Sequence, residues 1–279
     1  MNSNTVSSIR CGFIGLGSQG APIARRMIDA GFPTTLWARR AETLAPYRET
    51  PATFASTIEE VGAGADHVGI CVVNDDDVRE VSGRLLPAMR PGSVIAIHST
   101  VHPETCREVA RHANEQGVHL IDAPVSGGSP AAEAGTLTLM LGGDEQIIAK
   151  AMPVFESFGK LIVRLGDVGA GQHVKLINNS LLVANLGLAY VALEAGKLLE
   201  IDKEKLVELL LASSGRSFAL EVLSRMENPA DFRHGGALLR KDLRLLSELL
   251  AERHEAAAQL AHAADPFLAA ASMPAHGTD

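Results

Sequence analysis

A lysine and an asparagine four residues apart, Lys175 and Asn179, are side chains of this sequence that could act together at one site. A spacing of four places both on one face of a helix. One ammonium group and one amide therefore point in the same direction. The alternative is a lysine that simply extends into solvent, as most lysines do.

The segment around this pair, residues 174–193, is otherwise almost entirely apolar, which predicts a helix buried on nearly all sides. A lysine near the start of a helix opposes the helix dipole, and a buried polar group needs a partner. Both points favour a functional role for Lys175. The segment is long enough to cross a membrane, but one lysine and three asparagines within it argue against a membrane span.

A second candidate site is the turn Gly15-Leu16-Gly17-Ser18-Gln19-Gly20, which follows a short apolar run and precedes a helical pattern. Its glycines permit a tight turn, close approach of a pyrophosphate and close helix packing. The helix N-terminus attracts the anion. The sequence therefore predicts a dinucleotide site.

The residues after the next strand, predicted at Thr34–Trp37, face the adenosine ribose in such a fold. An acidic residue there selects NAD, whereas this chain has Arg39 and Arg40. A 2′-phosphate is a good partner for arginine, so we predict NADP as the cofactor, with NAD as the alternative. Both arginines could instead be merely solvated.

The third candidate is the loop at residues 122–130, in which Ser126, Gly127 and Gly128 could present successive backbone N–H groups to a carboxylate. The same residues also form ordinary turns, so the residues alone leave both interpretations open.

The elements that must position these sites alternate between short apolar strands and helices up to about residue 165, and almost everything later is helical in pattern. We predict an α/β fold with an N-terminal Rossmann-type doubly wound sheet, followed by an all-α C-terminal domain. The domains are predicted at residues 1–167 and 168–279. Asp202 is predicted to cap a helix, a long helix is predicted over residues 236–263, and the tail after Ala261 is predicted to be loose.

Composition narrows the function classes. The chain has 279 residues, 46% of them hydrophobic, and a formal net charge of -8, which argues against a nucleic-acid partner. Its three cysteines have no metal-ligand spacing and its ten histidines form no ligand pair, so we expect reduced thiols and no metal site. The polar first ten residues lack an apolar signal core, which predicts a cytoplasmic protein.

Four segments, taken together, resemble the signatures of the β-hydroxyacid dehydrogenase family, which includes 3-hydroxyisobutyrate dehydrogenase, tartronate semialdehyde reductase and 6-phosphogluconate dehydrogenase. They are GFIGLGSQG at residues 12–20, DAPVSGG at 122–128, GAGQHVKLINN at 169–179 and KDL at 241–243. The resemblance implies an oxidoreductase that transfers hydride between NADP(H) and a short β-hydroxy acid or its semialdehyde. It implies a small-molecule carboxylate substrate and a homodimer or homotetramer.

The resemblance also implies roles for individual residues. Lys175 would be the catalytic acid and base, and Asn179 would orient the substrate hydroxyl. The substrate carboxylate would lie at Ser126, Gly127 and Gly128, and Lys241 and Asp242 would close the site from the helical domain. The residues implied for the cofactor are Gly15, Leu16, Gly17, Gln19, Gly20, Arg39, Arg40, Val73, Thr100 and Lys241.

Three departures from the family pattern matter. Gln19 stands where the family usually has methionine, and His234 stands eight residues before Asp242, where a phenylalanine commonly lines the substrate pocket. The chain after residue 243 is also shorter, so the last helix is expected to be shortened or absent. Two rival functions are an NADPH-dependent imine reductase, against which Lys175 counts, and a non-catalytic dinucleotide-binding protein on the same fold.

Overall fold

The computed structural model describes residues 9–250 and 255–273. The chain divides into two compact units, the first ending at Lys175 and the second beginning at Leu176. The first unit contains a sheet with flanking helices, and the second is helical. The predicted fold class is confirmed.

The sheet of the first unit has nine strands in the described residues. Six parallel strands lie in the order β3-β2-β1-β4-β5-β6, which places a switch in strand order between β1 and β4. Ligands of doubly wound sheets bind at such a switch. Beyond β6, β8 is antiparallel to β6 and β7, while β9 pairs with β8 in parallel. The strands are β1 Cys11–Ile14, β2 Thr34–Trp37, β3 Thr53–Phe54, β4 His67–Ile70, β5 Val94–Ile97, β6 His119–Asp122, β7 Val125–Ser126, β8 Leu137–Gly142 and β9 Gly159–Gly166.

The helices that flank this sheet bury one apolar side each. Short 3-10 helices at Ala41–Tyr47 and Leu86–Ala88 supplement them, and the second directly follows a longer α-helix. Side-chain oxygens cap several helix starts: Asn74 caps α3 and Asp144 caps α6. The helices are α1 Gly20–Asp29, α2 Ile58–Gly64, α3 Asp75–Leu85, α4 Pro103–Glu115, α5 Gly128–Ala134, α6 Glu145–Phe155 and α7 Ala170–Leu198, which continues into the second unit.

The core of the first unit lies on both sides of the sheet. Phe13 and Ile14, consecutive residues of β1, belong to two separate apolar clusters because successive strand residues face opposite sides. Central strands β1, β4 and β5 are buried throughout, as expected of parallel strands covered by helices on both faces.

Two histidines, His67 and His98, are fully enclosed in this core. The His67 ring packs edge-on against Phe155, with 5.5 Å between ring centroids, and His98 Nδ1 lies 2.9 Å from the carbonyl oxygen of Ala123. Burial lowers the pKa of His67 to about 3, and repulsion between the two rings when both are protonated adds to the effect; burial lowers the pKa of His98 to about 4. Both rings are therefore neutral at neutral pH.

The second unit consists of the rest of α7 and four further helices in the described residues: α8 Lys203–Leu211, α9 Phe218–Ser224, α10 Arg233–Leu250 and α11 Glu255–Ser272. Asp202 caps α8 by accepting a hydrogen bond from the Lys205 N–H at 3.0 Å, as predicted. Phe267 of α11 is fully buried against α7 and α10 residues that include Val183 and Leu243. The expectation of a loose tail after Ala261 is therefore wrong, and so is the expectation that the last helix is absent; that this helix is shortened stays a prediction. Residues 251–254 of the predicted helix 236–263 lie outside the described residues.

The predicted burial of α7 on nearly all sides is also wrong within the described chain. Ile177, Leu181, Leu188 and Val191 are 48–59% exposed, and their spacings of four, seven and three residues place them on one face. By length and composition alone α7 could cross a membrane, a property that core helices of soluble proteins share. Apolar composition predicts that the surface of a helix is buried, but it does not show which residues or which molecule it is buried against.

Candidate active site

The dinucleotide turn predicted from the sequence has the geometry that its glycines suggest. Gly15 has φ +97°, and a side chain there would collide with the carbonyl oxygen of Cys71. A side chain at Gly20 would collide with the carbonyl oxygen of Gly15, whereas Gly17 faces open space. The turn therefore fits a pyrophosphate that approaches bare backbone at Gly17. Leu16 is buried in the core beneath it, and Gln19 directly precedes α1.

Arg39 and Arg40 directly follow β2, as the sequence indicated, and each contacts acidic side chains. The Arg39 Nη2 lies 3.2 Å from Asp77 Oδ1 and 3.8 Å from Glu80 Oε2, both on α3, and the Arg39 side chain is 70% exposed. Arg40 Nε lies 3.9 Å from Glu42 Oε1. Sequence reasoning missed the acidic partners of Arg39, with which a bound phosphate would compete.

Val73 and Thr100 lie in the loops after the neighbouring strands β4 and β5, at the carboxyl edge of the sheet. Val73 is exposed and Thr100 is half-buried. The Val72 N–H donates a hydrogen bond to Ser99 Oγ at 2.8 Å, which ties the two loops together. They lie next to the switch in strand order, where doubly wound sheets bind ligands.

The segment at residues 122–130 is more regular than the predicted loop. Ser126 ends strand β7 and is paired with Thr138, and Gly128 begins α5. Gly127 and Gly128 have φ values of +129° and +68°, which side-chain-bearing residues rarely adopt. Ser129 Oγ donates to the carbonyl oxygen of Ser18 at 2.7 Å and so joins this segment to the dinucleotide turn.

Lys175 lies in the second turn of α7 and is 8% exposed, so its ammonium group does not extend freely into solvent. The buried carboxylate of Asp122, the last residue of β6, accepts hydrogen bonds from backbone N–H groups at the start of the same helix. Burial raises the pKa of Asp122 to about 6, and those N–H groups partly oppose the rise. Sequence reasoning placed Asp122 in a motif but missed this bond.

In the second unit, Asp242 joins two of the predicted site residues. Asn179 Nδ2 donates to Asp242 Oδ2 at 2.6 Å, and Lys241 Nζ lies 3.3 Å from Asp242 Oδ1. Asn179 Oδ1 also accepts from Asn178 Nδ2 at 3.2 Å. The Asn179 amide is thus held by partners on both of its polar atoms. His234 is exposed in the first turn of α10, seven residues before Lys241 and on the same side of that helix.

The cysteines are free thiols within the described residues, and burial raises the pKa of Cys11 and Cys71 to about 12. Within the described ranges, no three His, Cys, Asp or Glu side chains are grouped so that they could hold a metal ion.

Comparison with known proteins places this geometry in a family. A sequence model of the NAD-binding domain of 6-phosphogluconate dehydrogenase matches residues 10–166. A second model, described as NAD-binding of NADP-dependent 3-hydroxyisobutyrate dehydrogenase, matches residues 169–279. The 2-(hydroxymethyl)glutarate dehydrogenase of Eubacterium barkeri is 36% identical over 247 residues, covering 86% of this chain and 82% of that protein. The chain belongs to the β-hydroxyacid dehydrogenase family.

Other proteins similar to this chain are also named as dehydrogenases. The NAD-dependent L-serine dehydrogenase of Pseudomonas aeruginosa is 34% identical and covers 85% of this chain and 83% of its own. A solved 3-hydroxyisobutyrate dehydrogenase of Mycobacterium tuberculosis with L-serine is 29% identical, with a TM-score of 0.80 over 93% of this chain and 92% of that one. The protein is therefore an NAD(P)-dependent hydroxyacid dehydrogenase that binds a nicotinamide dinucleotide and acts on a small molecule. The family predicted from the four motifs is confirmed.

Proposed function

We propose that this dehydrogenase transfers hydride between NADP(H) and a short β-hydroxy acid or its semialdehyde, with Lys175 as general acid and base. The observation that supports this most directly is the near-complete burial of Lys175 on a helix whose next turn carries Asn179. In this proposal the domain at residues 1–167 binds the dinucleotide, and the domain at residues 168–279 binds the substrate.

The bound cofactor supplies or accepts the hydride. During reduction the carbonyl oxygen of the substrate gains negative charge, and the Lys175 ammonium stabilises that charge and then donates a proton to the oxygen. During oxidation the neutral amine takes the hydroxyl proton. Asn179, whose amide is fixed by Asp242 and Asn178, orients the substrate hydroxyl.

The substrate carboxylate would bind the backbone N–H groups at Ser126, Gly127 and Gly128, whose positive φ values at the two glycines support such a nest. Asp242 and His234 would contact the remainder of the substrate, and Lys241 the cofactor. The substrates named by the relatives support this class, because 2-(hydroxymethyl)glutarate, L-serine and 3-hydroxyisobutyrate each carry a hydroxymethyl group on the carbon next to a carboxylate.

The preference for NADP would come from Arg39, with Arg40 beside it. The competing acids Asp77 and Glu80 weaken that preference, and one relative is NAD-dependent by name, so NAD remains the alternative cofactor. The exposed apolar face of α7 at Ile177, Leu181, Leu188 and Val191 supports a homodimer or homotetramer, which sedimentation analysis of the purified protein would test. The proposed location is the cytoplasm.

The deciding experiment compares Lys175→Ala with Lys197→Ala, an exposed lysine in the last turn of the same helix. We expect Lys175→Ala to lower turnover by about 10² to 10⁴ while NADPH binding is nearly unchanged, and Lys197→Ala to keep full turnover. NADPH consumption is measured with short semialdehydes and with cyclic imines. Near-normal turnover of Lys175→Ala would remove the lysine from the mechanism. Consumption with cyclic imines alone would indicate an imine reductase, and consumption of neither NADPH nor NADH with either substrate class would indicate a binding protein.

A further inference from the structure

Asp122, at the carboxyl end of β6, is fully buried. Its carboxylate lies against two glycines, which have no side chain to fill that space. A side chain at Gly142 would collide with Asp122 Oδ1, and one at Gly171 would come within 2.8 Å of Asp122 Oδ2. A buried carboxylate is costly unless its oxygens accept hydrogen bonds. Its presence therefore requires specific partners.

Those partners are backbone N–H groups at the start of α7, one directly before the helix and one in its first turn. Asp122 Oδ1 accepts from the Gly169 N–H at 2.7 Å, and Oδ2 accepts from the Gln172 N–H at 2.9 Å. The N–H groups of the first helical turn have no partner within the helix, and a negative charge at this end also matches the helix dipole. Most of the other helices begin with a cap from the adjoining residue, as Asp144 does for α6. Here the cap comes from 47 to 50 residues away in the sequence.

Gln172 provides a second attachment at the same turn. Its side chain is fully buried, Oε1 accepts from the Val101 N–H at 3.2 Å, and Nε2 donates to the Ser99 carbonyl oxygen at 2.8 Å. The first turn of α7 is thus bonded to the end of β6 and to the loop that follows β5. Four hydrogen bonds from two side chains define both its position and its rotation about the helix axis.

Lys175 follows Gln172 by three residues, which is just under one helical turn. Each residue of a helix rotates the side-chain direction by about 100° and advances it by about 1.5 Å. A slip or a frayed first turn would therefore redirect the lysine, and a displacement of about 1 Å can cost about 10²-fold in rate. We infer that Asp122 and Gln172 are positioning residues, which hold α7 in the one register that presents the Lys175 ammonium to the substrate. This inference rests on the proposed role of Lys175.

The test uses Gln172→Met, which keeps the length of the side chain but removes its two hydrogen bonds, and Asp122→Asn, which turns an N–H donor toward backbone N–H groups. Asp144→Asn is the matched control, because Asp144 Oδ1 accepts from the N–H groups of Gln146 and Ile147 at 2.9 and 3.0 Å on a helix that carries no site residue. The Tm, the kcat and the KM are measured for each. NADPH affinity is measured from quenching of Trp37, the single tryptophan.

We expect Gln172→Met to lower kcat by about 10- to 100-fold with KM and NADPH affinity changed by less than about 3-fold, and Asp122→Asn to lower kcat further. Asp144→Asn, in which the side-chain oxygen can still accept both hydrogen bonds, should change the Tm little and leave kcat unchanged. If Asp122→Asn does not fold, Gln172→Met alone decides. A kcat that is unchanged in the folded variants would show that the two residues serve stability only and would overturn the inference.

A double substitution separates this inference from the proposed function. In a Lys175→Ala background, adding Gln172→Met should cause no further loss of kcat, because Gln172 would act only through the lysine. A full additional loss would mean that Gln172 acts in another way, and the positioning role would be wrong. Near-normal turnover of Lys175→Ala by itself would instead refute the proposed function, and this inference with it.

Discussion

The two buried histidines make the stability of the dinucleotide-binding unit depend on pH. The lowered pKa values of His67 and His98, about 3 and about 4, mean that the unfolded chain binds more protons than the folded one below pH 6.5. The free energy of unfolding therefore falls as the pH drops from about 6.5. Between pH 8 and pH 5 each histidine lowers the free energy of unfolding by about 2 kcal/mol, since one pKa unit corresponds to about 1.4 kcal/mol.

Asp122 acts in the opposite direction, because its pKa is raised to about 6 and the folded chain binds its proton more readily than the unfolded one. Protonation of this carboxyl raises the free energy of unfolding by about 1 kcal/mol over the same pH range. The expected net decrease in the free energy of unfolding is therefore about 3 kcal/mol. Urea unfolding at pH 8, 7, 6 and 5 measures it. The emission of Trp37 reports on this unit, since the residue ends β2.

The decisive variant is His67→Leu, in which the loss of stability between pH 8 and pH 5 should shrink by about 2 kcal/mol. Replacement of the exposed His112 of α4 by glutamine is the control and should leave the pH dependence as it is in the original protein. If His67→Leu had the same pH dependence as the original protein, the buried neutral state of His67 would not be the cause of acid sensitivity.

Two further predictions concern specificity. Arg39→Ala should lower the ratio of kcat/KM for NADP to kcat/KM for NAD by about 10- to 100-fold, because one charge-assisted hydrogen bond contributes about 1.5 to 3 kcal/mol. Arg40→Ala should change this ratio less. Kinetics with both cofactors measure the ratio, and an unchanged ratio for Arg39→Ala would remove Arg39 from the cofactor site. We expect hydroxylated or dicarboxylic semialdehydes to be better substrates than methyl-branched ones, because His234 can donate a hydrogen bond where an apolar ring would not. His234→Phe should reverse that order, and the same ranking in both enzymes would show that His234 does not line the substrate pocket.

The features that the sequence predicted correctly are those determined locally. The strand Thr34–Trp37 has the predicted bounds, and Asp202 caps its helix, because apolar alternation and capping depend on neighbouring residues. The turn from Gly15 to Gly20 was recognisable because the steric need for glycine is also local.

The features that were missed depend on distant residues or on very short elements. The cap from Asp122 to α7 and the pairing of Arg39 with Asp77 join positions far apart in the chain. Strand β7 has two residues and α5 has seven, too few to show a period. The apolar pattern of α7 predicted that the helix is buried, but it did not distinguish burial against residues of the same chain from burial against another molecule.

The long-range cap of α7 also has a consequence for the order of folding. An isolated helix start is unfavourable, because the first turn fixes several residues for a single hydrogen bond. The bonds from Asp122 and Gln172 that compensate for this cost exist only once β5 and β6 have formed their edge of the sheet. During synthesis, therefore, the completed sheet should serve as the template on which the first turn of α7 nucleates. Substitutions at Asp122 should slow the folding of this turn more than they speed its unfolding.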